Sequence, residues 1–327
     1  MLVTGGAGYI GSHAVRELRE AGHQVTVLDD LSQGHRAAVP GDVPLVTADL
    51  GDADAVEGAA EGADAVMHFA GRLSVAESVR DPFRYYSNNV AKGLVLLSVM
   101  QSAGLRRIVF SSTCATYGMP VRVPMDEDHP QAPINPYGTT KRVFENALAD
   151  HAGAGRLRAV ALRYFNAAGC HPDGSLGEDH RPEEHLIPRA IDAALGRTEE
   201  LTIHGDDYDT PDGTCIRDYI HVMDLARAHV RALESMDRGP AFAAYNLGTG
   251  AGVSVRDVLK SVERVSGRKV PATVGPRRQG DPPRLVAGVE RATRELGFRP
   301  AHAALDDIVA SAFRWREAHP QGYGSAA

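Results

Sequence analysis

The opening thirty residues restrict the fold more than any other stretch of the chain. Met1-Leu2-Val3-Thr4 is a short apolar strand, and it runs directly into Gly5-Gly6-Ala7-Gly8-Tyr9-Ile10-Gly11. Glycines at 5, 8 and 11 permit a tight turn and a close backbone approach. Ile10, Ala14, Val15 and Leu18 then recur at helical spacing up to Gly22, a natural C-terminal cap. Gln24-Val25-Thr26-Val27-Leu28-Asp29 follows as a second buried strand that closes on an acid. Taken alone, a glycine loop is more often just a turn. Between a strand and a helix, it lets the helix present free amides to a pyrophosphate. Asp29 is placed to accept hydrogen bonds from an adenosine ribose and to repel a 2′-phosphate, which favours NAD over NADP.

The alternation continues. Val43 to Val46 reads as a strand leading to Asp49-Leu50, with a small helix from Asp52. Ala65-Val66-Met67-His68-Phe69-Ala70-Gly71 is a fourth strand ending in small residues, and a long helical stretch runs from Phe83 to Ser102 with Asn88 and Asn89 in its first half. The apolar run from Arg107 to Ser112, a helix carrying Tyr137, and the strand from Arg158 to Phe165 complete the pattern. Such alternation predicts an α/β protein with a doubly wound parallel sheet of the Rossmann type, covered on both faces. Ligands of such sheets sit at the carboxyl ends of the strands, and Gly11, Asp29, Asp49, Phe69, Thr113 and Phe165 all lie at or just past such ends. After Asn166 the regular alternation lapses. The expected division is a nucleotide-binding domain over 1–165 and a smaller α/β substrate domain over 166–327, with segments such as 217–250 returning to the first.

At 327 residues and 43% hydrophobic content, the chain can bury a sizeable core. Its formal charge of -7 argues against nucleic acid or an anionic membrane as partner. Three cysteines, Cys114, Cys170 and Cys215, make an odd set without metal-ligand spacing, which suggests reduced thiols. No basic-then-apolar leader or membrane-length run is present, so the expected location is the cytoplasm. The tail after Pro320 reads as loose. His171, His180 and His185 share a Gly- and Pro-rich loop but lack compact ligand spacing or a carboxylate–histidine pattern on one helix, so no metal is expected.

Chemistry enters with Tyr137-Gly138-Thr139-Thr140-Lys141. A tyrosine and a lysine four apart lie roughly 40° apart around a helix and reach the same side. An ammonium beside a phenol favours the phenolate, which would make Tyr137 a usable base. By itself the spacing more often marks a solvated helix face. Its place after a strand that delivers Ser111-Ser112-Thr113 to a ligand crevice favours the catalytic reading. In the second half, Arg217 and the pair Arg277/Arg278 stand in Gly/Asp-rich loop contexts. They are surface cations or, for a nucleotide diphosphate, the planar forks that match phosphate oxygens.

The glycine loop, Asp29, Ser111-Ser112-Thr113 and Tyr137/Lys141 resemble the extended short-chain dehydrogenase/reductase family. Gly8 to His13, His68 to Gly71, Leu162 to Asn166, Arg217 to Asp224, Tyr245 to Gly248 and His319 to Tyr323 are similar to its nucleotide-sugar 4-epimerases, so the likeness spans the chain. The resemblance implies an NAD-dependent enzyme that interconverts UDP-glucose and UDP-galactose through a transient 4-keto sugar, with NAD tightly bound and a homodimeric assembly. It implies Thr113, Tyr137 and Lys141 as catalytic residues. Around the cofactor it places Gly5, Gly8, Tyr9, Ile10, Gly11, Asp29, Asp30, Leu31, Ser32, Gly34, Asp49, Leu50, Phe69, Ala70, Gly71, Arg72, Asn88, Tyr137, Lys141 and Phe165. Around the UDP-sugar it places Thr113, Asn166, His185, Leu186, Thr202, His204, Arg217, Val255, Arg278, Asp281 and Leu285.

The chain departs from that pattern in places. Thr113 stands where serine is common, Arg72 precedes the position where some relatives carry lysine (here Leu73), and Asp30 adds negative charge near the adenosine end. Leu285 sits where side-chain bulk bears on acceptance of N-acetylated sugars, which leaves that range open, as it leaves pentose or uronic acid derivatives. A dehydratase needs an extra acid and base beside the threonine, and Cys114-Ala115 supplies neither. A catalytically idle NAD-binding sensor would not need the tyrosine–lysine pair.

Overall fold

The structure is a computed structural model that describes residues 1–278 and 280–324. In chain order its strands are β1 (Leu2–Thr4), β2 (Thr26–Asp29), β3 (Leu45–Thr47), β4 (Val66–His68), β5 (Arg107–Thr113), β6 (Arg158–Tyr164), β7 (Asn166–Ala168), β8 (Leu201–His204), β9 (Ile216–His221), β10 (Phe242–Leu247), β11 (Gly252–Ser254), β12 (Ala272–Gly275) and β13 (Arg284–Leu285). The helices are α1 (Tyr9–Glu20), α2 (Ala53–Ala60), α3 (Val75–Arg80), α4 (Pro82–Tyr85), α5 (Lys92–Ser102), α6 (Pro136–Gly153), α7 (Leu186–Ala194), α8 (Val222–Ser235), α9 (Val255–Ser266), α10 (Glu290–Leu296) and α11 (Leu305–Ala318).

Seven strands form one parallel sheet in the order β10-β6-β5-β4-β1-β2-β3. The middle of its central strands is apolar because each face is covered. Val3, Val27, Met67, Val109 and Val160 enter one core with α1 and α8. Their neighbours Leu2, Leu28, Val66, Ile108 and Ala159 enter the opposite core with α2, α5 and α6. Alternate residues thus serve opposite faces, the pattern that a two-sided parallel sheet demands. The order turns back between β1 and β4, and the crevice past the carboxyl ends of these strands is where such sheets hold ligands.

Beyond β6 the chain builds a second layer. β9 is flanked by β11 and β13 and also pairs with β7, while β8 and β12 form a two-stranded ribbon. α7, α9 and α11 pack around Trp315, which is buried. Of the stretch 217–250, β9 remains in the second layer, α8 packs on α1, and β10 joins the first sheet beside β6.

Three expectations need correction. The loop expected over Asn166 to His185 begins with β7, whose Asn-Ala-Ala sequence is too short and small to announce a strand. The helical stretch before Ser102 is not uniform: residues Tyr86–Ala91 form a π-helical turn between α4 and α5. The tail is not loose as far as Tyr323. That ring stacks on His35, with centroids 4.9 Å apart, and its hydroxyl accepts from Gly177 N at 2.9 Å.

Candidate functional site

A cavity of about 1070 Å³ runs along the carboxyl ends of β1, β2, β4, β5 and β6 and on into the second layer. Its first end is the turn after β1. Gly5 has φ +72°, and a Cβ there would lie 2.4 Å from Ala70 N; one on Gly11 would lie 2.1 Å from Gly5 O. Only glycine allows this approach. Gly8 precedes α1 without a side-chain cap, so the first-turn amides of the helix face the cavity for an anion. Asp29 ends β2 with Oδ2 accepting from Ala7 N and Oδ1 from Leu31 N, both at 2.9 Å. Burial pushes its carboxyl up, and these two N–H donors oppose that. Each oxygen keeps a lone pair for a ribose hydroxyl. A close-packed glycine turn, open helix amides and a held carboxylate together fit a dinucleotide.

The middle of the cavity holds Thr113, Tyr137 and Lys141. Asn135 caps α6 by accepting from Gly138 N at 2.8 Å, with Pro136 at the first helical position; this fixes where Tyr137 starts. Lys141 is buried and donates from Nζ to Ser111 O at 2.9 Å, 4.9 Å above the Phe110 ring. Burial lowers its pKa from 10.5 to about 8, with Glu145 acting in the opposite direction. His68 lies beneath, pushed down to about 3 first by burial and then by Lys141, so it stays neutral and does not repel the ammonium. The expected lowering of Tyr137 by Lys141 is not met by the protein's own groups. Burial pushes the phenol well above its ordinary value, Tyr164 adds to this, and the neighbouring Thr113 hydroxyl opposes it. The reason is dominance of desolvation over a lysine whose own charge is committed to a backbone carbonyl.

The far end is built by the second layer. Arg217, on β9, donates to Asp281 Oδ1 at 2.9 Å and to Pro282 O at 2.9 Å. Arg278 lines the cavity, whereas Arg277 turns away to pair with Asp207 and stack on Tyr208. Burial, then Arg278, lowers His204. Asn166 donates to Asp218 O at 2.8 Å.

Every residue expected at the site lines this one cavity except two. Leu31 has φ 57°, and its side chain packs on the core beneath the sheet; only its amide serves, through Asp29. Leu285 packs with Tyr117, Met125, Phe165 and Ala287, one layer behind Cys114 and Phe165, which do line the cavity. Residues that the sequence reading missed do positioning work. Asn89, in the π turn, accepts from Arg72 N at 2.8 Å and donates to Arg72 O and Thr140 Oγ1. Asp218 accepts from Thr249, Gly250 and Ala287 amides, fixing the β9 strand that carries Arg217. Lys92 pairs with Asp49 at the cavity wall. The histidine loop also departs from expectation. His171 pairs with Asp173, but Glu178, His180, Glu183 and His185 converge. The signal was the repeated Glu-x-His at 178–180 and 183–185, hidden because it lies in a loop and not on a helix face.

Residues 1–248 match the model of the NAD dependent epimerase/dehydratase family. The chain belongs to that family. It is 52% identical over 328 residues to a UDP-glucose 4-epimerase of Azospirillum brasilense, covering 100% of this chain and 94% of that one. Its fold is similar to the crystal structure of UDP-glucose 4-epimerase from Brucella ovis in complex with NAD: TM-score 0.93, 50% identity, 96% of this chain and 97% of that one. It is also similar to the Bifidobacterium longum UDP-glucose 4-epimerase in complex with NAD+ and UDP: TM-score 0.93, 40% identity, 98% and 99% coverage. As a member of the NAD dependent epimerase/dehydratase family the chain takes NAD, in keeping with the Asp29 carboxylate. Among the described residues no helix is long and apolar enough to cross a membrane.

Proposed function

We propose that this family member is a UDP-glucose 4-epimerase, interconverting UDP-glucose and UDP-galactose through a 4-keto sugar. One observation carries the reading. A single cavity sets Thr113, Tyr137 and Lys141 between a dinucleotide end at Gly5, Gly11 and Asp29 and a cationic end at Arg217 and Arg278. The inverted carbon bears no acidic hydrogen, so the reaction proceeds by oxidation and reduction at one carbon. When bound, NAD supplies the hydride acceptor and donor and a positive charge beside the phenol.

The chain's own groups do the rest. Tyr137 takes the hydroxyl proton of the sugar as oxidation proceeds and returns it on reduction. Thr113 donates to the same oxygen and steadies its developing charge. Lys141, with N–H bonds left beyond the one to Ser111 O, holds the nicotinamide ribose and favours the phenolate once the pocket is filled. Arg217 and Arg278 hold the diphosphate, and Asp281 beside Arg217 meets the nucleoside ribose, so the sugar can turn about a fixed anchor and offer either face. Beside Thr113, Cys114 is pushed up to about 12 by burial and Ala115 carries no acid, which argues against elimination of water. The residue roles given above, a division near residue 165, a cytoplasmic location and a homodimer belong to this proposal.

The test is direct. Pure protein given UDP-galactose without added cofactor should form UDP-glucose. Bound NAD with no turnover on a panel of UDP-sugars would reduce the chain to a binding protein.

A further inference from the structure

The loop between β7 and α7 gathers four side chains that the reaction does not use as a group. Glu178, His180, Glu183 and His185 each bring a ligating atom to a place where all four lie within 4.8 Å of one another. His185 Nδ1 is 2.8 Å from Glu178 Oε1 and 2.9 Å from Glu183 Oε1. His180 Nδ1 is 3.2 Å from Glu178 Oε1 and 3.8 Å from Glu183 Oε2. A tetrahedral zinc with bonds of ~2.0–2.1 Å spaces its ligands about 3.3 Å apart. The four separations bracket that value.

Burial and hydrogen bonding point the same way. The Glu178, His180 and Glu183 side chains are 6%, 10% and 11% exposed, and His185, at the cavity side, is 43% exposed. Inside the cluster, His180 Nδ1 and Glu183 Oε2 are buried and make no hydrogen bond. Buried polar atoms are nearly always partnered, and a nitrogen and a carboxylate oxygen turned on one space are what a cation joins. The rival arrangement is a pair of imidazolium–carboxylate salt bridges. His185 Nδ1 meets that arrangement, hydrogen-bonded to Glu183 Oε1 at 2.9 Å, but His180 Nδ1 makes no such bond although Glu178 Oε1 is 3.2 Å away.

We propose that Glu178, His180, Glu183 and His185 form a structural site for a divalent transition cation, zinc before others. Two imidazoles select against magnesium and calcium, which prefer all-oxygen shells. Two carboxylates cancel the charge of a dication, so the occupied site is neutral where three of its four ligands are buried. All four positions come from the protein, the mark of a structural and not a catalytic centre. Arg316 approaches Glu183 Oε2 at 3.9 Å, but its other nitrogens are engaged by Asp192. The site would pin the loop at both ends: His185 is the N-cap residue of α7, and the His180 ring stands edge-on to Tyr9 of α1 at 6.1 Å. A bound cation thus ties the helix that opens the dinucleotide end to the helix that flanks the sugar end. The four residues line the same cavity as the reaction, and His185, placed at the UDP-sugar above, would hold the cation through Nδ1; zinc uptake is read without turnover, so its failure and the failure of the reaction are told apart.

Full-length protein stripped with chelator and dialysed is titrated with Zn²⁺ against a chromophoric chelator, and separately with Co²⁺. One equivalent of zinc per chain, the visible bands of tetrahedral cobalt and a higher thermal midpoint on zinc addition are expected. Glu183→Gln and His180→Asn should each weaken zinc binding at least ~100-fold, while His171→Asn leaves it unchanged. Circular dichroism identifies a variant that fails to fold, and the wild-type stoichiometry and cobalt spectrum then decide. Folded wild type that takes up no zinc, an octahedral cobalt spectrum, or equal binding in Glu183→Gln and His180→Asn would overturn the site.

Discussion

At the scale of single residues, the site rests on two groups that burial pushes in opposite directions. Tyr137 is driven up and Lys141 down, so in both the neutral form is favoured until opposite charge arrives. Tyr137→Phe removes the proposed proton carrier at the sugar oxygen and leaves the packing against Tyr85 in place. Turnover should fall by about 10²–10⁴-fold while co-purified NAD, read by absorbance after acid release, stays at the wild-type level; near-normal turnover would remove Tyr137 from the mechanism. Lys141 makes a pH prediction with a definite sign. Its folded pKa, about 8, lies below the ordinary 10.5, so between these values the unfolded chain holds a proton that the folded one has lost. Stability conferred relative to Lys141→Met therefore rises with pH through that window. Unfolding in urea at about pH 7 and about pH 9.5 should show wild type gaining roughly 2 kcal/mol on the variant. No relative gain would mean that the ammonium is better solvated than its burial implies.

At the scale of elements, α6 carries the tyrosine and lysine, and β6 runs beside the threonine strand; one buried ion pair joins them. Arg163 of β6 holds Glu145 of α6 through Nε at 3.0 Å and Nη2 at 2.6 Å, with side chains 6% and 2% exposed. Arg163→Met should cost about 3–5 kcal/mol because Glu145 is left buried and unpaired, and Arg163→Met/Glu145→Leu should recover much of it. Chemical denaturation of the two variants checks this, and a double variant no better than the single would exclude the pair as the cause. Elements of this kind were legible in the sequence to different degrees. The strands of the large sheet were legible because two covered faces force unbroken apolar runs such as Ile108-Val109-Phe110. Tyr137/Lys141 was legible because helical spacing puts both on one side. β7 was not, since three small residues carry no periodicity. Nor was the π turn that lets Asn89 clamp Arg72, because its i to i+5 bonds leave no compositional mark. Leu31 and Leu285 were assigned to the cavity by the resemblance, but at a positive φ one side chain packs into the core and the Tyr117 cluster takes the other.

At the scale of the whole molecule, the last described residues close on the first functional unit. Tyr323 stacks on His35, and His35 N donates to Ala7 O in the glycine turn. The Tyr323 amide donates to Asp179 Oδ2 at 3.0 Å, its hydroxyl accepts from Gly177 N, and its ring packs against Trp315. One aromatic thus bridges the turn after β1, the loop between β7 and α7, and α11. A fully buried aromatic cut to alanine costs ~3–5 kcal/mol, and half-burial brings Tyr323→Ala to about 2 kcal/mol. The loss should not be confined to global stability. His35 would lose the surface that holds it over Ala7, whose amide supports Asp29, so the dinucleotide end should loosen as well. Tyr323→Ala is therefore expected to lower the thermal midpoint and to release NAD faster on dilution, whereas Tyr323→Phe, which keeps the ring and loses only the hydroxyl, should retain most of both. A lower midpoint with unchanged NAD release in Tyr323→Ala would show that the tail braces α11 alone and that the glycine turn stands without it.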